Sequence, residues 1–195
     1  MERKDRNRHG GGVCLYVRDD LSYNRRSDLE RDDLEAVWIN IYLPKTKPFI
    51  VASVYRPQNQ TGFTATFDEL LKTTDPSVET YILGNINICL LKPKIGLAKS
   101  YLSVLNNHGF TQLIDQPTRV ADRSSVLDHV ICKFSDKVSQ SGVVPIGLSD
   151  HCMTFCTRTS ICETRAGPNR PKLEGVWFFE DFKCIFYENR FFWPI

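Results

Sequence analysis

Strong net charge is missing from this sequence. Its 25 Lys and Arg residues face 23 Asp and Glu residues, which leaves a formal net charge of only +2. A chain this close to neutral has no global field that favours nucleic acid or another polyanion. The local exception is the N-terminal basic run Arg3, Lys4, Arg6 and Arg8. Such a run can contact phosphates, but a solvated, frayed terminus is the simpler interpretation.

Long apolar stretches are missing as well. Crossing a bilayer takes about 20 consecutive apolar residues, and no segment of this sequence approaches that length. Met1 is followed by charged residues and not by the apolar core of a signal peptide. We therefore expect no membrane partner and no secretion, and a location inside the cell, in the nucleus or the cytoplasm.

The sequence also lacks the pattern of a disulfide-stabilised protein. Its 7 cysteines are odd in number and irregularly spaced, and both features argue against a disulfide framework. A zinc site built from His151, Cys152, Cys156 and Cys162 is disfavoured. On an alternating strand Cys152 and Cys156 share one face, whereas His151 lies on the other. Reduced, buried thiols in an intracellular protein are the simpler expectation.

The length and composition predict one domain and a tail. A chain of 195 residues with 42% hydrophobic residues is long enough for one domain with a sizeable core. Residues 165–172 are rich in Pro, Gly and Arg, and the remainder is dense in aromatics. We predict a domain over residues 1–160, followed by a linker and an unrelated aromatic-rich tail over residues 161–195. A tail that evolved as a partner helix, or that covers exposed surface, is the alternative.

Apolar patterning predicts an α/β chain. Strands are predicted at residues 13–17, 35–43, 49–55, 80–83, 125–134 and 151–157. The first three of these runs favour an antiparallel meander. Helical spacing predicts one helix over residues 64–73 and a second over residues 97–105 that stops at Gly109. Surface loops are predicted at residues 19–33, 116–123 and 141–149.

Four apolar runs end in polar side chains that can handle protons, metal ions or phosphates. They are residues 53–57, 81–87, 126–130 and 148–151. Strand ends are where an α/β enzyme usually presents its chemistry. Asn85 departs from this pattern, because it stands where a catalytic carboxylate is expected and an amide cannot take a proton as a carboxylate can.

Together these segments resemble one family. The similarity runs from about Arg8 to about Arg158. It includes Gly-Gly-Gly-Val at residues 10–13, Leu-Glu-Ala-Val-Trp at 34–38, Tyr-Arg-Pro at 55–57, Gln-Pro-Thr-Arg at 116–119, Asp128, and Ser-Asp-His at 149–151. The chain is similar to the endonuclease/exonuclease/phosphatase superfamily, in the form found in non-LTR (LINE, CR1-like) retrotransposons. There the domain nicks target DNA to prime reverse transcription. The resemblance implies a DNase I-like α/β fold, here a partial two-sheet β-sandwich flanked by helices and lacking its first strands.

The resemblance assigns catalytic roles to five residues. Tyr55 would point its hydroxyl at the scissile phosphate or the leaving oxygen, and Asn87 would hydrogen-bond a phosphate oxygen. Asn85 takes the place of the aspartate that aligns or deprotonates the attacking water. Asp128 would orient His151, and His151 would contact the phosphate. Taken alone, Tyr55 is equally well explained as the end of a strand, and Asp128 as an ordinary surface residue.

Further roles concern the substrate and the cofactor. The resemblance implies DNA as the ancestral substrate and Mg²⁺ as the ancestral cofactor, with no small-molecule cofactor. Asp150 would lie beside the metal ion, and Arg56 and Arg119 would contact the substrate. Of the neighbours Asp128 and His129, the family pattern selects Asp128.

Two departures from the family pattern predict loss of activity. Loss of a general base at Asn85 costs roughly 10²–10⁴ in rate. The family's first strands, which carry an asparagine near the phosphate and the glutamate that is the principal metal ligand, have no counterpart before His9. Glu35 has a different place in the pattern, and Cys89 stands where an acidic residue is common. We predict a degenerate endonuclease domain. The alternatives are a DNA- or protein-binding pseudo-enzyme, a retroelement remnant without function, and a residual nuclease.

Overall fold

The fold is built around a six-stranded mixed sheet. The computed structural model describes residues 1–6, 11–147 and 149–160, together with the backbone of two later strands. In chain order the strands are β1 (Glu2–Asp5), β2 (Gly12–Leu15), β3 (Ser22–Arg25), β4 (Glu35–Tyr42), β5 (Phe49–Tyr55), β6 (Thr80–Asn85), β7 (Phe110–Gln112), β8 (Asp128–Lys133), β9 (Val138–Val144), β10 (Met153–Ser160), β11 (Lys172–Phe178) and β12 (Ile185–Glu188). The helices are α1 (Phe63–Thr73) and α2 (Gly96–Asn107), with short 3₁₀ turns at Ser27–Leu29 and Ser135–Lys137.

The strands form three sheets. The central sheet has the order β3-β4-β5-β6-β8-β7, a second sheet has the order β12-β11-β10-β9, and β1 pairs with β2 in a separate hairpin. Among the strands described, β5 and β6 are the only parallel neighbours, with Val51 opposite Tyr81, and the other neighbours are antiparallel. The chain between β5 and β6 runs through α1, as a parallel crossover requires.

Each face of the central sheet is covered by a different layer. On one face Trp38 and Ile82 pack with the apolar side of α1 and α2. On the other face Val37 and Leu83 pack with Leu15 of β2 and Cys156 of β10. The neighbours Val37 and Trp38 pack into opposite layers because side chains alternate along a strand. The protein therefore has an α/β fold of two facing β-layers with helices outside, as the sequence predicts.

Both predicted helices form. Phe63, Phe67, Leu70 and Leu71 are buried along α1, where their spacing places them on one face. Helix α2 ends before Gly109, whose φ of +71° is a left-handed conformation suited to a residue that follows a helix.

The antiparallel meander predicted for the first three runs is wrong in one respect. Strands β4 and β5 pair as expected, but β2 pairs with β1 and not with β4. The place beside β4 is taken by β3, which lies in a segment predicted to be a loop. The N-terminus is also a strand and not a frayed end, since Lys4 pairs with Val13 and donates to the Leu34 carbonyl oxygen at 3.0 Å. Arg8 lies outside the described residues.

Strands also form at the end of the chain. The predicted loop over residues 141–149 is wrong for residues 141–144, which belong to β9. Strand β11 pairs with β10 over seven residues and β12 pairs with β11, so the predicted tail adds two strands to the second sheet. Residues 161–171, 179–184 and 189–195 lie outside the described residues. The division into a domain and an unrelated tail therefore stays a prediction.

No helix in the described part of the chain is long and apolar enough to cross a membrane. Among the described cysteines, Cys132, Cys152 and Cys156 are buried and Cys89 is exposed. Cys162 and Cys184 lie outside the described residues.

Candidate functional site

The site lies where β5 and β6 of the central sheet end, where β8 begins and where the chain enters β10. Asp128 is the first residue of β8 and is buried, and His151 lies just before β10. The Nδ1 atom of His151 is 2.8 Å from Oδ2 of Asp128. An ionised carboxylate can only accept a hydrogen bond, so the shared proton is on Nδ1. The contact therefore fixes the ring and turns Nε2 away from Asp128.

Thr118, a residue with no predicted role, joins this pair from the loop between β7 and β8. Its hydroxyl donates to Oδ2 of Asp128 at 2.7 Å and accepts from the backbone N–H groups of Leu127 and Asp128 at 3.0 Å. The backbone of Thr118 also accepts from the N–H of Cys152 at 2.7 Å. Thr118 thus ties β8 to the start of β10. The sequence signal for Thr118 is its place in the Pro-Thr-Arg motif at residues 117–119, which is part of the family resemblance.

The two asparagines after β6 hold each other in place. Asn85 is buried directly opposite Asp128 in the β6–β8 pairing, and its side-chain oxygen accepts from the backbone N–H of Asn87 at 3.1 Å. Asn87 has a φ of +52° and donates from Nδ2 to the Arg56 carbonyl oxygen at 2.8 Å. Asparagine tolerates this left-handed conformation and readily forms such local turns. The amide of Asn85 therefore shapes the turn.

The Arg56 side chain stabilises this turn through hydrogen bonds to main-chain carbonyl oxygens. Its side chain is buried and donates from Nη1 to the Asn87 carbonyl oxygen at 3.1 Å and from Nη2 to the Gln60 carbonyl oxygen at 2.9 Å. Burial lowers the pKa of the Arg56 guanidinium. The structure thus places Arg56 among main-chain carbonyls, and its predicted contact with substrate stays a prediction.

Arg119 and Asp150 form an ion pair at the solvent side of the site. Nε of Arg119 lies 2.6 Å from Oδ2 of Asp150, and each side chain is about two-fifths exposed. The Arg119 guanidinium holds the pKa of the Asp150 carboxyl below its usual range. Arg119 is also the antiparallel bridge partner of His151, so the pair lies beside the histidine.

In the arrangement described, both carboxylates of the site are bound by other side chains and neither is presented to a magnesium ion. Mg²⁺ requires octahedral oxygen ligands and is usually held by one or two carboxylates. Here Asp128 is hydrogen-bonded by His151 and Thr118, and Asp150 is paired with Arg119. Among the described residues, no three His, Cys, Asp or Glu side chains are grouped as metal ligands. Asp150, predicted as a metal ligand, therefore lies outside any such group.

Tyr55 lies at the rim of the site beside two charged residues, Glu35 and Arg6, to which the resemblance assigns no role in the site. Glu35 is its partner across β4 and β5, and the Arg6 guanidinium lies 4.9 Å from the centre of the Tyr55 ring. Nε and Nη2 of Arg6 also donate to the two carboxylate oxygens of Glu35 at 2.6 and 3.0 Å. Arg6, one of the four basic residues of the N-terminal run, is therefore paired within the protein.

His129, the neighbour that the family pattern passed over, lies on the helix side of the sheet. Its Nδ1 is 3.1 Å from the Tyr101 hydroxyl of α2, and both residues are fully buried. Burial lowers the pKa of His129 to about 4. The side chains of Asp128 and His129 thus lie in different layers, because adjacent residues of a strand point to opposite faces of the sheet.

This burial predicts loss of stability in mild acid. The pKa of His129 is near 6.5 when unfolded and about 4 when folded, so between these values the unfolded chain binds more protons. The stabilisation is therefore complete above pH 6.5 and falls by about 3 kcal/mol as the pH drops to 4. Urea unfolding of the protein and of His129→Gln at each pH measures the difference. Parallel pH profiles for the two proteins would contradict the assignment.

Comparison with solved structures identifies proteins of similar fold. They are endonuclease/exonuclease/phosphatase proteins. One, from Leptotrichia buccalis, is 18% identical with a TM-score of 0.46, and the match covers 60% of this chain and 51% of that one. An AP endonuclease from Archaeoglobus fulgidus is 14% identical with a TM-score of 0.47, and the match covers 68% of each chain. The inositol polyphosphate 5-phosphatase domain of SPsynaptojanin, in complex with inositol (1,4)-bisphosphate and calcium, is 16% identical with a TM-score of 0.37, covering 61% and 48%.

The chain spans about half the length of the first of these structures. No profile of a known family matches the sequence, and no curated protein matches it either.

Proposed function

We propose that the chain is a degenerate retrotransposon-derived endonuclease domain that binds a DNA phosphodiester and does not hydrolyse it. The observation that supports this best is that the site has the groups suited to hold a phosphate and lacks the group expected to activate water. The His151–Asp128 contact suited to holding a phosphate is in place, with its second support from Thr118. The position expected to activate water carries Asn85, whose oxygen is used by the Asn87 backbone.

The binding half of the site follows from hydrogen-bond chemistry. With Nδ1 held by Asp128, the Nε2 atom of a protonated His151 can donate to a non-bridging phosphate oxygen. Such charge-assisted bonds are about twice as strong as neutral ones. Arg119, beside His151 and partly exposed, offers the remaining N–H groups of its guanidinium to a second oxygen. A phosphodiester can therefore be neutralised by side chains alone.

The hydrolytic half lacks its proton acceptor. Attack by water on a phosphodiester needs a group that takes the proton, and an amide cannot do so. The carboxylates Asp128 and Asp150 are already paired with His151 and Arg119. Either carboxylate would have to leave its partner before it could hold a metal ion that activates water.

We expect no nicking of supercoiled plasmid above background, with Mg²⁺ or Mn²⁺, and no rescue by Asn85→Asp alone. The intact chain should still bind a labelled DNA duplex, equally well with and without EDTA. His151→Ala should weaken that binding about tenfold, the effect of losing one charge-assisted hydrogen bond. Agarose gels and fluorescence anisotropy measure the two properties.

His108→Ala is the matched control, because His108 pairs with Asp68 of α1 away from the site and should leave DNA affinity unchanged. Nicking that depends on Mg²⁺ and disappears in His151→Ala would overturn the proposal. If the intact chain and His151→Ala bound DNA equally well, the proposed DNA binding at His151 would be wrong. The alternative of a remnant without function would then remain.

A further inference from the structure

A basic and apolar loop leads away from the candidate site. We name residues 91–97 the lysine loop. It begins four residues after Asn87 and ends in the first turn of α2. All seven residues are exposed, including three apolar side chains that are about half exposed or more: Leu91 at 50%, Ile95 at 62% and Leu97 at 46%. Lys92 and Lys94 lie between Leu91 and Ile95 in the sequence.

The charge of this loop is not compensated. Between Glu79 and Asp115 the sequence contains no acidic residue and three lysines, Lys92, Lys94 and Lys99. Within the described residues none of these three lysines forms an ion pair. The N-terminal loops differ, because each arginine there is paired with the aspartate two residues later: Arg18 with Asp20, Arg26 with Asp28, and Arg31 with Asp33. Local positive charge is therefore concentrated beside the site.

The base of the loop is fixed relative to the site. The N–H of Ile86 donates to the Leu127 carbonyl oxygen at 2.9 Å, and the N–H of Leu90 donates to the Val126 carbonyl oxygen at 3.2 Å. Both acceptors immediately precede Asp128. Lys92 is five residues from Asn87, and five extended residues span at most about 17 Å. That is about the axial length of five base pairs.

We infer that the lysine loop is a docking surface for the DNA duplex that flanks the phosphodiester at His151. The inference rests on the proposed function. Lys92 and Lys94 neutralise phosphates along the strand, and the apolar side chains on either side of them contact sugars or enter the minor groove, as exposed apolar residues do in other DNA-binding proteins. The loop thus supplies affinity that the near-neutral protein as a whole does not.

The salt dependence of DNA binding tests this inference. Each phosphate neutralised contributes about 0.9 to the slope of log K against log salt concentration. The pair variant Lys92→Gln/Lys94→Gln should therefore lower the slope by about 2. Ile95→Ala should weaken binding roughly fivefold, an effect of about 1 kcal/mol, and leave the slope unchanged. The probe is a labelled duplex of 20 base pairs, followed by fluorescence anisotropy at several salt concentrations.

Lys45→Gln/Lys47→Gln is the matched control. These two lysines are exposed in the turn between β4 and β5, at the opposite end of β5 from Tyr55. The control removes the same charge about 20 Å away along the strand. It should leave the slope unchanged, and equal slopes for the two pair variants would overturn the inference.

Two further probes separate this inference from the proposed function. Dithymidine monophosphate is too short to reach the loop and should shift the NMR signals of the His151 ring. If it does so while both pair variants bind duplex alike, the loop inference fails and the proposed function stands. If the loop variant alone lowers the slope and the His151 signals do not move, the proposed function fails and the loop contact stands. Co-sedimentation with phosphatidylserine vesicles that depends on Lys92 and Lys94, with an unchanged duplex slope, would overturn the inference in favour of a membrane surface.

Discussion

Replacing Glu79 by alanine is expected to lower the free energy of unfolding by about 3–5 kcal/mol, the effect of leaving a buried charge without its partner. Glu79 lies just before β6, and Arg158 lies in β10 of the second sheet; both are about 95% buried. Nε and Nη2 of Arg158 donate to the two oxygens of Glu79 at 2.6 and 3.1 Å. The pair therefore joins the two β-layers that carry the site.

Other contacts hold this pair in a single arrangement. The Tyr81 hydroxyl donates to Oε1 of Glu79 at 2.7 Å, and Lys137 donates to Oε2 at 2.9 Å. Burial alone would raise the pKa of the Glu79 carboxyl, but hydrogen bonds from Arg158, Tyr81 and Lys137 outweigh it and lower the pKa. The Arg158 guanidinium also lies 4.6 Å from the centre of the Phe49 ring. Removal of Glu79 takes this acceptor away from the Arg158, Tyr81 and Lys137 donors.

The double variant Glu79→Leu/Arg158→Met separates charge from packing. Replacing both partners of a buried pair with apolar residues of similar volume is often neutral or stabilising. We therefore expect the double variant to recover the cost of the unpaired Arg158 charge and to keep only that of the buried Tyr81 hydroxyl, about 1–3 kcal/mol, as measured by urea denaturation at neutral pH. A double variant as unstable as Glu79→Ala would show that the pair supports the fold through its geometry and not through charge balance.

The long apolar strands were the predictable part of the fold. The predicted run 49–55 coincides with β5, and the predicted helix 64–73 differs from α1 by one residue. These elements bury a face along their whole length, and that burial leaves a period in the sequence. Strands β1, β3 and β9 contain no buried residue. Their pairing is set by partners elsewhere in the chain, and local patterning carries no signal for it.

The candidate site shows the same division. Asn85, Asp128 and His151 were found because each follows or opens an apolar run, and the structure brings them together. The roles assigned to them stay predictions. Thr118 and the pairing of Arg119 with Asp150 depend on where a loop returns to β10. That return is a long-range contact, and no spacing within the sequence encodes it.

Gly84→Ala is expected to displace Asn85 and to lower the free energy of unfolding by about 3 kcal/mol, at the upper end of the usual cost of overpacking. Gly84 precedes Asn85 in β6, where this strand runs beside β5. A Cβ atom at this position would lie 1.7 Å from the Val54 carbonyl oxygen and 2.7 Å from its carbonyl carbon. Both atoms belong to the backbone of β5, so the methyl group can be accommodated only if the two strands separate.

The separation would act directly on the site. The N–H of Arg56 donates to the Asn85 carbonyl oxygen at 3.0 Å, and Asn87 in turn donates to the Arg56 carbonyl oxygen. Moving β6 away from β5 stretches both bonds. We therefore expect the folded Gly84→Ala protein to bind the DNA duplex less tightly. Fluorescence anisotropy, at urea concentrations below the unfolding midpoint of the variant, measures this affinity.

Gly142→Ala provides the comparison, because Gly142 is also a strand glycine but its added Cβ would lie 3.0 Å from the Phe155 ring and not against backbone. A side chain can rotate away where a carbonyl cannot, so the cost should be clearly smaller, about 1 kcal/mol. Urea unfolding of the two variants gives the ranking. Equal losses of stability would mean that β5 and β6 are not held as closely as their pairing indicates, and that the position of Asn85 does not depend on the glycine before it.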